Sequence, residues 1–207
     1  MRMSLVAAAA ALFMSVQSAQ AVTVAAGETQ GGTAGGINLV GGTNVALTDE
    51  PGAWVDPAGV DLAGVAGAAD WVWVRDGRNN GFPGEQLTFQ FVFNLTGFAL
   101  ETASLLGLAN VDNAGTITLN STSLGAIEDF REASNAARSF SAAGSAGGFI
   151  DGVNTLTFVV RNSRNDRPSG QPAGLLASVT VSATPVPLPA GLPLLLAGVG
   201  GFALLRR

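Results

Sequence analysis

The 207-residue chain has no Cys and no His, and all ten of its basic residues are Arg. Without Cys there are no disulfides, so a fold in an oxidising compartment must stand on packing alone. Without His or Cys, no Ser–His–Asp or Cys–His nucleophilic system can be assembled, nor a zinc site of the usual kind. A catalyst would have to be built from carboxylates, Arg, Ser or Thr. The six Glu read as scattered through loops, with no spacing that singles out a glycosidase-type carboxylate pair, and no enzyme is expected. Positive charge is scarce too. Residues 22–184 hold seven Arg against all fifteen Asp and Glu, a formal charge of −8. That leaves no electrostatic footprint for nucleic acid and no polybasic patch for anionic lipid.

Long apolar runs occur only at the two ends. Residues 1–21 have the form of a secretory signal peptide: Arg2, an apolar run from Leu5 to Val16, and an A-x-A cleavage site at Ala19-Gln20-Ala21. The run is short for a bilayer span, which needs roughly 20 residues. Cleavage is therefore expected after Ala21. At the other end, the 20 residues from Val186 to Leu205 carry no charge and are followed by Arg206 and Arg207. As a helix they would extend about 30 Å, the thickness of a bilayer's hydrocarbon core. The arginines would then act as a basic stop on the cytoplasmic side. Pro187, Pro189 and Pro193 forbid a regular helix at the outer end and leave an extended segment before the membrane.

The middle reads as β-structure. In Leu87–Leu95 the residues Leu87, Phe89, Phe91, Phe93 and Leu95 alternate with Thr88, Gln90, Val92 and Asn94, a period of two that puts the large apolar side chains on one face. Trp71–Val74 is a shorter strand. Others are expected at 103–109, 115–120, 154–161 and 175–183, with a short one at Phe140. Asp112-Asn113, Asp151-Gly152, Asp76-Gly77 and Asn80-Gly81 supply turn chemistry. Only Ala126–Ala137 offers helix-like spacing, through Ile127, Phe130 and Ser134, and a loop reads as well there. Glycines at 31, 32, 35, 36, 41 and 42 punctuate the segment before Trp71. Because Gly weakens strand interiors, residues 22–70 are expected to be a lead-in and edge strands. The fold class expected is all-β: an antiparallel two-sheet β-sandwich, jelly-roll-like, over 71–184. An N-terminal signal helix and a C-terminal transmembrane helix (185–207) would flank it.

Candidate sites are few. Trp54, with the polar loop Arg75, Arg78, Asn79 and Asn80, has the aromatic surface and hydrogen-bonding groups that suit a glycan. Trp71 and Trp73 are better read as core, as alternating strand aromatics usually are. Asp49, Glu50, Asp56 and Asp61 could offer oxygens to Ca²⁺, but their spacing fits no EF-hand loop, and a solvated acidic loop is the favoured reading. No cofactor is expected, and structural calcium has no support beyond that group. Arg161, Arg164 and Arg167 form a basic spot that could meet an acidic polysaccharide, though pairing with Asp166 is the plainer reading. Asn94-Leu95-Thr96 and Asn120-Ser121-Thr122 match the glycosylation sequon.

Two resemblances add to this. The stretches 93–107, 110–120 and 152–162, together with Gln171–Leu175, resemble galactose-binding-like jelly-roll domains of secreted bacterial envelope proteins. The chain departs from that pattern at Ser121, Gln171 and Ala173. Val186-Pro187-Leu188-Pro189-Ala190, followed by an apolar run and a terminal Arg-Arg, resembles the VPLPA-type variant of PEP-CTERM sorting signals, which exosortases read in Gram-negative bacteria. That resemblance implies a membrane-anchored precursor, cleavage near the motif by an exosortase-type enzyme, and transfer to the envelope or the exterior, often linked to exopolysaccharide. The function expected is therefore structural or adhesive, with a carbohydrate-binding module as the alternative and a carboxylate-based glycan hydrolase third. The partners expected are the processing enzyme, the inner membrane before processing, and exopolysaccharide.

Overall fold

The computed structural model describes residues 19–33, 35–48, 69–77, 80–127, 137–162 and 171–187. Among these the chain is all-β. Eleven strands join in one mixed sheet: β1 Val22–Thr29, β2 Gly36–Leu39, β3 Val45–Ala46, β4 Val72–Trp73, β5 Gln86–Asn94, β6 Phe98–Asp112, β7 Ala114–Leu119, β8 Thr122–Ile127, β9 Arg138–Ala143, β10 Val153–Arg161 and β11 Gly174–Pro185. Among the described residues, a 3₁₀ turn lies at Ser145–Gly147.

The ladder runs β9–β6–β11–β1–β2–β5–β10–β7–β8, with β4 and then β3 attached to β11 beside β1. It has two limbs joined at β1–β2. Rings from the two limbs meet in the core. Trp73 of β4 lies 6.1 Å from Phe89 of β5, and Phe140 of β9 meets Phe158 of β10 edge-on at 5.7 Å and 81°, the geometry that aromatic quadrupoles favour. β8 and β9, the two ends of the ladder, come into contact without pairing.

The period-two pattern of β5 holds. Phe89, Phe91, Phe93 and Leu95 are buried, while Val92 and Asn94 are exposed. β10 pairs with β5 along its whole length and repeats the alternation, with Asn154, Leu156, Phe158 and Val160 inward. Trp71 and Trp73 are fully buried, as expected of core residues.

Three expectations change. First, the ladder is not purely antiparallel: β1 and β2 run parallel over two residue pairs, Glu28 with Gly36 and Thr29 with Ile37. A tight loop makes this possible, with the Glu28 N–H donating to the Gly35 carbonyl at 2.5 Å.

Second, residues 22–39 are interior strands rather than lead-in and edge. β1 lies between β11 and β2, and β2 lies between β1 and β5. Ile37 and Leu39 belong to the core, and the Asn44 side chain pins β2 by accepting from the Leu39 N–H at 2.9 Å and donating to the Ile37 carbonyl at 2.7 Å. The physical reason is visible at Gly27, where a Cβ would stand 2.6 Å from the Phe91 ring. Gly there permits close approach instead of weakening an edge. Only β3 fits the edge-strand expectation.

Third, the start of the Ala126–Ala137 window is strand, because Ala126 and Ile127 close β8; residues 128–136 lie outside the described residues. Likewise, Glu28 and Glu101 stand on strands β1 and β6, not in loops.

The expected flanking helices fall on 1–18 and 188–207, outside the described residues. Among those described, no helix is long and apolar enough to cross a membrane.

Candidate functional site

The polar loop after β4 is organised around Glu85, which the sequence reading did not single out. One guanidinium nitrogen of Arg75 donates to both Glu85 carboxylate oxygens at 2.6 Å. The Trp73 indole N–H reaches Oε2 at 3.1 Å, and the Phe82 backbone N–H reaches it at 3.2 Å. Arg75 also donates from Nε to the Asn80 carbonyl at 3.0 Å and lies 4.4 Å above the Phe82 ring, a cation–π distance. Burial pushes the Glu85 carboxyl up, but the hydrogen bonds from Arg75, Phe82 and Trp73 outweigh it and hold it below the usual glutamate range. No local spacing announces this cluster, since its parts are ten and twelve residues apart.

Asn80 is buried, and both ends of its side-chain amide are bonded to the Ala173 backbone. Its Nδ2 donates to the Ala173 carbonyl at 2.8 Å, and its Oδ1 accepts from the Ala173 N–H at 2.8 Å. Of the five candidate glycan contacts, then, Arg75 and Asn80 come together and brace the body of the protein. Trp54, Arg78 and Asn79 lie outside the described residues, as do Asp49, Glu50, Asp56, Asp61, Arg164 and Arg167. Asp76 closes the same region by accepting from Thr48 Oγ1 at 2.6 Å and from the Thr48 N–H at 2.8 Å. Those bonds, with one from the Gly77 N–H, lower its carboxyl below the usual range.

Turn-type residues elsewhere work as buried braces. The Asn154 side chain donates to the Ile150 and Gly152 carbonyls at 2.8 and 2.9 Å and accepts from the Ile150 N–H at 3.0 Å. Asn120 donates to the Gly148 carbonyl at 2.8 Å and to Asn154 Oδ1 at 2.9 Å. Its amide nitrogen is thus committed inside the fold, which argues against the second sequon as an acceptor. In the first sequon, Asn94 Oδ1 accepts from the Thr96 N–H at 2.8 Å in an Asx turn. Near Gly81, the Asn162 side-chain amide is fully buried with no hydrogen-bond partner among the described residues.

The sorting-type motif begins where the sheet stops. β11 pairs through Pro185 with Phe98, and the Val186 N–H still donates to the Gly97 carbonyl at 2.9 Å. Val186 and Pro187 are exposed. Leu188, Pro189, Ala190, Arg206 and Arg207 lie outside the described residues. Ala19 and Ala21 are exposed just ahead of β1.

Compared with known proteins, the chain matches no family model and no curated sequence.

Proposed function

We propose that this is an exported cell-envelope or extracellular-matrix protein, non-catalytic, with a structural or adhesive role linked to exopolysaccharide. Its sheet would close as a jelly-roll-like sandwich whose tail is read by an exosortase-type enzyme. One observation carries the reading: the Val186–Ala190 motif starts at the residue after the last strand, and its first two residues leave the body exposed. A processing enzyme would meet it without unfolding the domain. The cross-limb ring pairs support closure of the sheet.

A carbohydrate-binding role is the second reading. It is favoured by the outward rows of β5, β10 and β7, where Gln90, Thr88, Thr116, Thr118, Thr155 and Thr157 offer hydroxyls and an amide on a nearly uncharged face. A glycan array separates it from the first.

Intact mass spectrometry of the protein from its native host tests the main reading. The expected mature species starts at Val22 and ends within 186–190. Replacing Pro187 and Pro189 by Leu should trap an uncut, membrane-bound form. A species that retains Arg207 in a host with a working exosortase would overturn the proposal in favour of a plain anchor.

A further inference from the structure

Eight large apolar side chains stay exposed among the described residues, and they are unevenly spread. Four of them, Val22, Ile150, Val153 and Val186, gather at the end of the sheet from which both ends of the domain emerge, while Val92 stands just inside it on the outer face, in a groove shared with Gln90 and Val40. Strand register fixes that placement. Val22 pairs with Ala183, Pro185 with Phe98, and Val153 with Asn94 beside the Val92–Thr155 pair. Backbone bonds from Val186 to Gly97 and from Leu95 to Gly152 tie this end together at 2.9 and 2.8 Å. The Asn154 and Asn120 braces hold the 148–152 loop, so Ile150 is presented outward on a fixed frame. No basic side chain stands here among the described residues, and the nearby charges, Asp151 and Glu101, are both acidic.

The chain beyond this end is short of spacer. Val186 to Leu205 is uncharged and mostly apolar. At most the five motif residues 186–190 can serve as spacer, since the rest of the run is needed to cross the bilayer; fully extended they reach about 18 Å, and the headgroup layer takes up roughly 5–8 Å of that on one side of a bilayer. A tethered domain is thus held within about 10–13 Å of the lipid surface, with its apolar end nearest.

We propose that this end is a membrane-facing surface, which rests on lipid headgroups through Val22, Ile150, Val153 and Val186 until the tail is removed. The inference rests on the anchored-precursor reading above. Because the end carries no cation, contact would draw on apolar burial rather than on anionic lipid.

The absence of Cys makes single-cysteine reporters unambiguous. The full chain carrying a fluorophore at Val153→Cys, at Ser121→Cys (the β7–β8 turn at the same end) or at Gln86→Cys (the far end of β5) is reconstituted in phosphatidylcholine vesicles containing a headgroup-nitroxide lipid. Quenching at positions 153 and 121 should be several-fold stronger than at position 86. Adding Ile150→Glu and Val153→Glu should bring the position-121 signal down to the position-86 level while the protein still floats with the vesicles. Co-flotation with equal quenching at both ends, or with no response to the two glutamates, would overturn this inference and leave the anchor reading intact. Failure to co-float would defeat both. Quenching that arises only with an exosortase-type protein in the vesicles would assign the surface to a protein and overturn the lipid assignment.

Discussion

Gly107 sits in mid-strand on β6 opposite Phe140 of β9, and a Cβ built there would run into the Phe140 ring. Gly→Ala in an extended segment ordinarily stabilises by about 0.4–1 kcal/mol, because the unfolded chain has less entropy to lose. Here overpacking opposes that gain, at about 1–3 kcal/mol. The clash is with a ring that is buried and held edge-on against Phe158, so it has little room to yield. Gly107→Ala should therefore destabilise by about 1–2 kcal/mol net. Phe140→Ala should cost about 3–5 kcal/mol through lost burial and a cavity. The double variant places a methyl where the ring was, so its cost should fall short of the sum by about 1–2 kcal/mol, within the range of coupling between contacting residues. Urea unfolding followed by fluorescence of the buried Trp71 and Trp73 measures all four corners of the cycle. Additivity within about 0.5 kcal/mol, or stabilisation by Gly107→Ala alone, would refute the contact and with it the reason given for Gly at that position.

Glu85→Gln should destabilise by about 1 kcal/mol near neutral pH, since it weakens charge-assisted bonds to an Arg75 that is partly solvent-screened. A lowered carboxyl contributes stability that is complete above the ordinary glutamate pKa of about 4.3 and is lost as pH falls through the folded value. The gap between wild type and Glu85→Gln in pH-dependent melting should accordingly close in acid; a gap that widens in acid would reverse the assignment. Asn154→Ala removes the side-chain bonds to the Ile150 carbonyl and N–H and one of the two donors to the Gly152 carbonyl, and should cost about 1–3 kcal/mol and raise amide exchange in 148–152 above that of β10; uniform exchange would count against a local brace. Asn80→Ala should similarly loosen the 80–82 and 171–173 segments while leaving any glycan binding unchanged, and loss of binding without loss of stability would restore Asn80 as a contact residue.

The strands that were legible in sequence are those whose two faces differ chemically. β5 and β10 alternate bulky apolar residues with Thr, Gln and Asn, so a single reading of the pattern yields both strand and face. β1 was illegible for the opposite reason: Val22–Thr29 mixes two Val with Ala, Gly, Thr and one buried Glu and shows no clean alternation. β2 read only as an edge strand, because the contact that makes this part of the sheet interior, Gly27 against Phe91, joins residues more than sixty positions apart. β8, Thr122–Ile127, lacked large alternating side chains and was partly claimed by a helical spacing that its pairing with β7 overrides. The brace around Glu85 was hidden because ion pairs between loop residues follow no period. Asn80 looked like a turn former, Asn120 like a strand end with a sequon and Asn154 like a strand start, but what their side chains hold lies up to 93 residues away.

The place of β11 in the ladder sets an order of events. It is the last strand in the chain, yet it lies between β6 on one side and β1 and β4 on the other. Until residues 174–185 have been made, β1 and β6 have no partner to join them, and neither does the β3–β4 pair. Ribosomal synthesis delivers the N-terminus first, so the earliest strand must wait for the latest, and loop closure over such a separation is slow. The limb that holds β1, β3, β4, β6 and β9 therefore stays open until the final strand arrives, and it closes only on the strand that leads directly into the Val186–Ala190 segment.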